Sequence, residues 1–252
     1  MSSRRARRGA AILSLCLGVL PVSACGGTPV KREASQARGG VTAAPVVMVL
    51  GDSYTVGEKG SQPEATYAPA AARLLGWQVV AAGKAGTGYV ATGSRRYGLP
   101  GPGQTFLALF ESQLGWRPAP DLLILSGGHN DRRYPTAQTA QGARDLLARA
   151  RQRWPGTKIL MIGPMWGNDT PPVTTLAVRD TLRAVAQEQK VPFVDPIGER
   201  WITGNRAAGT GNASSYIRPD GVHPTVEGHR YVASRLVDDI RRFDLARPAR
   251  SS

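Results

Sequence analysis

Pro45-Val46-Val47-Met48-Val49-Leu50-Gly51-Asp52-Ser53-Tyr54 is the stretch from which the fold can be read. A short apolar run rich in β-branched side chains, with no polar alternation, is the pattern of a strand buried on both faces, as in a parallel sheet. It stops at Gly51, so Ser53 falls in the turn at the strand's carboxyl end, where α/β folds carry their chemistry. Downstream, similar runs alternate with helical periods. Strands are expected at 45–50, 77–82, 121–126, 157–162 and 191–195, and helices at about 64–75, 104–115, 136–153, 173–190 and 225–242. That alternation predicts a three-layer α/β/α sandwich around a central parallel sheet of about five strands, joined by right-handed crossovers. Gly-Asp-Ser is also a common turn composition, so Ser53 needs partners before it reads as a nucleophile.

Two further segments supply them. Asp220-Gly221-Val222-His223-Pro224 puts a carboxylate and an imidazole three residues apart in one turn ahead of the last helical period. An aspartate bonded to one ring nitrogen sets the tautomer and leaves the other nitrogen to take a serine proton. Alone, Asp220 could simply shape the turn and His223 cap the helix. Gly127-Gly128-His129-Asn130-Asp131 follows the run Leu122 to Leu125, and the Asn130 amide can donate to a developing oxyanion or act as a turn former.

Taken together, these blocks resemble the SGNH hydrolases, also called GDSL hydrolases, whose motifs occur in this order. The resemblance spans about residues 45 to 242 and implies a flavodoxin-like SGNH fold. It maps the nucleophile to Ser53, the acid and base to Asp220 and His223, and the oxyanion donors to the Ser53 and Gly86 backbone N–H groups and Asn130. The second block, Ala82-Gly83-Lys84-Ala85-Gly86-Thr87-Gly88, is loose enough that Gly83 or Gly88 could replace Gly86. Tyr54 stands where the family usually has leucine, which is expected to alter packing more than chemistry. The implied activity is hydrolysis of carboxylic esters through an acyl-enzyme on Ser53, with short acyl or acetyl groups on lipid, glycan or small-molecule substrates. The family also holds acyltransferases, for which a cell-envelope sugar hydroxyl would replace water, and a non-catalytic surface binding protein could keep the same fold.

Other chemistries fit less well. Gly86-Thr87-Gly88-Tyr89-Val90-Ala91 matches a dinucleotide fingerprint on paper, but residues 92–103 are rich in Gly, Arg and Pro and do not continue as the helix that fingerprint should open. There is no G-x-S-x-G elbow. His129, His223 and His229 form no metal-binding spacing, so neither metal nor cofactor is expected. His229 reads as a surface or packing residue. Two loops are candidate pocket walls, 92–103 and Gly163 to Gly167, whose Trp166 could line an acyl or sugar site or serve as packing, and the polar, Gly-rich 203–218 is either a mobile flap or a long loop.

Arg4, Arg5, Arg7 and Arg8 precede the apolar run Ala10 to Leu20 and the tetrad Val22-Ser23-Ala24-Cys25, the arrangement of a secretory signal. The tetrad resembles a bacterial lipobox, which implies a signal peptide at 1–24, lipidation of Cys25 and a membrane-anchored, extracytoplasmic protein, or a secreted one if Cys25 is unmodified. Cys16 lies in the segment removed, so the mature chain forms no internal disulfide. Residues 25–44 read as a flexible tether, 45–245 as the hydrolase domain and 246–252 as a disordered tail. The net charge is +14 for the full chain and +10 without residues 1–24. The basic residues are scattered, with no run interleaved with aromatics, so nucleic acid is not an expected partner.

Overall fold

A computed structural model describes residues 43–58, 62–93 and 103–249. The signal segment, Cys25, nearly all of the tether, most of the 92–103 stretch and residues 250–252 lie outside the described residues. Five parallel strands form one sheet: β1 (Val46–Gly51), β2 (Gln78–Gly83), β3 (Leu122–Ser126), β4 (Lys158–Ile162) and β5 (Phe193–Val194), in the order β2-β1-β3-β4-β5. This is the flavodoxin-like order expected for the SGNH fold, with the switch point between β1 and β3.

Strand residues alternate between two cores. Val47, Val49, Leu122, Ile124, Leu160 and Ile162 pack under α2 (Tyr67–Leu75) and α7 (Val226–Arg242). Met48, Leu50, Leu123, Leu125, Ile159 and Met161 pack on the opposite face, under α3 (Phe106–Leu109), α4 (Thr136–Arg153) and α5 (Val173–Glu188). Each large aliphatic side chain buried this way stabilises the fold by about 1.5–3 kcal/mol. Both faces being covered is why β1, β3 and β4 read as continuous apolar runs.

Departures from the expected elements have local causes. The helix expected at 64–75 is split at Thr66, whose hydroxyl donates to the carbonyls of Thr55 at 2.9 Å and Pro63 at 2.8 Å. Instead of one α-helix at 104–115, α3 runs into a π turn over Phe110–Leu114, closed by Gly115 N–H on the Phe110 carbonyl at 2.7 Å. That turn keeps Phe106, Leu109, Phe110 and Leu114 all in the core. β5 shrinks to two residues because Pro192, lacking an N–H, precedes it and the chain leaves the ladder at Pro196. The expected disordered tail does not begin at Ala246: Trp77 Nε1–H donates to its carbonyl at 2.9 Å, and Pro248 is buried. Within 203–218, a short helix α6 (Ala213–Tyr216) forms, and Asn212 and Arg206 tie the segment to the Trp201, Ser214 and Ile217 carbonyls.

Candidate active site

Three carboxyl strand ends lie side by side, with Gly51 in register with Gly83 of β2 and Ser126 of β3. The chain turns out of β1 at Asp52, whose Oδ1 accepts from Tyr54 N–H at 3.0 Å and caps the short helix α1 (Ser53–Val56). Ser53 therefore sits on the first helical residue, directly at the switch point. Facing it is the turn before α7. Gly221 takes a left-handed φ of 71°, and Arg218 N–H bonds the His223 carbonyl at 2.8 Å. After Pro224, Thr225 caps α7 through its hydroxyl and Gly228 N–H at 3.0 Å.

Asp220, His223 and Ser53 form a continuous chain: Asp220 Oδ2 lies 2.8 Å from His223 Nδ1, and His223 Nε2 lies 2.9 Å from Ser53 Oγ. Ser53 and His223 are both buried. Partial burial alone would raise the Asp220 pKa. The His223 backbone N–H, the His223 ring and the Val222 N–H outweigh that and hold the carboxyl below its usual range. An ionised Asp220 places the proton on Nδ1 and leaves Nε2 to face the serine.

The loop after β2 is shaped by Asp131, which is fully buried and accepts from the N–H groups of Tyr89 at 3.0 Å, Val90 at 2.8 Å and Ala91 at 2.9 Å. Residue 88 must be glycine here, because a Cβ would stand 2.3 Å from Asp131 Oδ2. Of the three candidate glycines in this block, Gly83 N–H is taken by Gln113 Oε1 at 2.9 Å and Gly88 N–H by the Ala91 carbonyl at 2.8 Å. Gly86 carries neither engagement. Asn130 Nδ2 donates to the Thr87 carbonyl at 2.9 Å and, more weakly, to Asp52 Oδ2 at 3.3 Å. Its amide is thus oriented by the Gly86 loop on one side and by the residue preceding Ser53 on the other.

Tyr54 packs at the site and also makes a polar contact that leucine could not. Its hydroxyl donates to the Val222 carbonyl at 2.5 Å, and its ring lies 5.7 Å from that of His223, so α1 is clamped to the turn that carries the imidazole. His129 is buried against Tyr54, bonded through Nδ1 to the Met165 carbonyl at 3.1 Å, and stacked on Trp166 at 5.0 Å. Beside this stack opens a cavity of about 330 Å³, walled by Tyr54, Trp166, Ile197, Trp201, Ile217 and Pro224. His229 is buried, and desolvation, reinforced by His223 and Arg218, pushes its pKa down to about 4. It is a neutral packing residue.

Sequence reasoning missed two carboxylates. Asp52 is fully buried, and desolvation, with Asp131 and Glu58 adding repulsion against the Tyr54 N–H bond, pushes its pKa up to about 7. Glu58 Oε1 lies 3.1 Å from His223 Nε2. Asp52 was visible as part of the Gly-Asp-Ser turn, whereas nothing local marks Glu58, because its partner is far away in sequence. Among the described residues no group of three or more His, Cys, Asp or Glu side chains could hold a metal ion.

The GDSL-like lipase/acylhydrolase family matches residues 49–231, a span that contains Ser53, Gly86, Asn130, Asp220 and His223. A GDSL lipase of Mycobacterium tuberculosis, Rv0518, is 32% identical over 197 residues, covering 75% of this chain and 79% of its own. Among solved structures, Est24, a carbohydrate acetylesterase of Sinorhizobium meliloti, superimposes with a TM-score of 0.60 at 18% identity, over 79% of this chain and 99% of its own. The M. smegmatis aryl esterase does so with a TM-score of 0.56 at 19% identity, again over 79% and 99%. At such identities the structural likeness speaks for the fold.

Proposed function

Since this chain belongs to the GDSL-like lipase/acylhydrolase family and is an SGNH-type carboxylic ester hydrolase, we propose that it cleaves esters of short acyl groups through an acyl-enzyme on Ser53. The observation that carries this reading is the unbroken hydrogen-bonded chain of 2.8 Å and 2.9 Å from Asp220 through His223 to Ser53 Oγ, two segments 170 residues apart. His223 Nε2 takes the Ser53 proton as Oγ attacks the ester carbonyl. The Ser53 and Gly86 N–H groups and the Asn130 amide receive the oxyanion, and His223 returns the proton to the departing alkoxide. Water then attacks the acyl carbonyl as the same nitrogen takes its proton, and the bond to Ser53 Oγ breaks as that proton passes to Oγ and the acid is released. To reach the oxyanion, Asn130 gives up its longer bond, the 3.3 Å contact with Asp52, and keeps the 2.9 Å one to Thr87 that aims it.

The 330 Å³ cavity beside Tyr54 and Trp166 has the size of a small-molecule site and supports small acyl or leaving groups, on glycan, lipid or aryl esters. Relatives described as a lipase, a carbohydrate acetylesterase and an aryl esterase are in keeping with that class. The arginine-flanked apolar segment and the tetrad ending at Cys25 support an extracytoplasmic protein tethered by a lipid on Cys25, with cell-envelope esters within reach. Ser53→Ala is expected to abolish turnover of short-chain aryl esters, and an organophosphonate to label the wild-type protein at Ser53. Retained turnover in the variant, or a label on another residue, would overturn the assignment.

A further inference from the structure

We infer that Glu58 is a second carboxylate partner of the catalytic imidazole, acting at Nε2 opposite Asp220, and that it stabilises the imidazolium formed when Nε2 takes a proton during turnover. This rests on the reading of Ser53 and His223 given above. Glu58 Oε1 stands 3.1 Å from Nε2 and Ser53 Oγ 2.9 Å from the same atom, so hydroxyl and carboxylate share one nitrogen. The Glu58 side chain is 13% exposed, against 40% for Asp220, so solvent screens it less than the triad's own acid.

The electrostatics follow from where the protons lie. With Nδ1–H directed at Asp220, a neutral ring presents a lone pair at Nε2. A carboxylate oxygen at 3.1 Å repels that lone pair and attracts a proton placed there. In the tetrahedral transition states, where Nε2 has just taken the Ser53 or water proton, Glu58 stabilises the imidazolium. Glu58 is thus a positioning residue that acts on the rate through His223.

The other titratable groups near His223 do not duplicate this. Asp220 faces Nδ1. Tyr54 packs on the ring, with burial keeping its hydroxyl protonated. His229 on α7 is held neutral, Arg218 bonds the His223 carbonyl through its backbone, and Asp52 engages Tyr54 and Asn130.

The test is the steady-state kinetics of Glu58→Gln and Glu58→Asp beside wild type on an aryl ester, each first shown to be folded by circular dichroism and thermal melting. Removing the charge destabilises the imidazolium, so kcat of Glu58→Gln should fall by about tenfold with KM little changed. Glu58→Asp, which keeps the charge on a shorter stem, should recover part of that loss. Damage of a merely structural kind is not relieved by the shorter acid. A kcat of Glu58→Gln equal to wild type, or a Glu58→Asp no faster than Glu58→Gln, overturns the inference, and Glu58→Ala is read by the same criterion if Glu58→Gln does not fold. Ser53→Ala keeps the two claims apart. If it retains turnover the catalytic reading itself fails, whereas a dead Ser53→Ala with an unchanged kcat in Glu58→Gln removes only the role of Glu58.

Discussion

Asp52→Asn should destabilise the protein slightly in acid and stabilise it in mild base. The Asp52 pKa rises from 3.8 to about 7 on folding, chiefly through desolvation. A raised carboxyl binds its proton more tightly in the folded state. Its contribution is therefore fully present below about pH 4 and is lost as pH rises toward 7, at about 1.4 kcal/mol per unit, for a total of about 4 kcal/mol. Asparagine has nothing to ionise and so removes this slope. Its carbonyl oxygen can take the Oδ1 place and keep the cap on Tyr54 N–H, while its NH2 meets the Asn130 amide and forfeits the 3.3 Å bond, a loss of about 1 kcal/mol. The variant should then be about 0.5 kcal/mol less stable than wild type at pH 4 and about 3 kcal/mol more stable at pH 8, with the curves crossing near pH 4.5. Urea unfolding followed by circular dichroism at half-unit steps from pH 4 to 8 measures this difference directly, since other titrating groups are common to both proteins. A stability difference that stays constant across the range would refute the account of Asp52 as a carboxyl raised by burial.

Asn130→Ala should lower kcat by about a hundredfold or more with little change in KM, because the donor it removes acts on charge present only in the transition state. Steady-state kinetics on an aryl ester decide it, and a raised KM with kcat intact would make Asn130 a residue that positions substrate. Cys25→Ser should move the protein from the membrane fraction to the soluble one, and mass spectrometry of the wild-type membrane form should find a lipid-modified Cys25 at the amino terminus. An unmodified residue or a different start would contradict the lipid anchor.

Much of this protein was legible in its sequence because the signals are local. Strands buried on both faces, such as Val46 to Leu50 and Leu122 to Leu125, announce themselves as unbroken apolar runs, and their alternation with helical periods fixes a parallel sheet. Asp220 and His223 share one turn, so their mutual bond depends on three residues of backbone. Ser53 is marked by its place at the end of β1. Where local signals compete with tertiary packing, the sequence reading failed: Thr66 interrupts a helix to reach Thr55, and Trp77 anchors Ala246, which reads as the start of a tail. The engagement of the Gly83 and Gly88 N–H groups is likewise tertiary, since their partners, Gln113 and Ala91, lie outside the motif. Tyr54 and Glu58 make the same point at the site itself. The sequence by itself determined which chemical groups are present and on which strand ends they stand. Only the tertiary structure decided that a tyrosine hydroxyl clamps the catalytic turn and that a second carboxylate meets His223. Such contacts, 168 residues apart for Tyr54 and Val222, arise where two loops are pressed together by the packing of α2 and α7 on the sheet, and no period or motif along the chain encodes that approach.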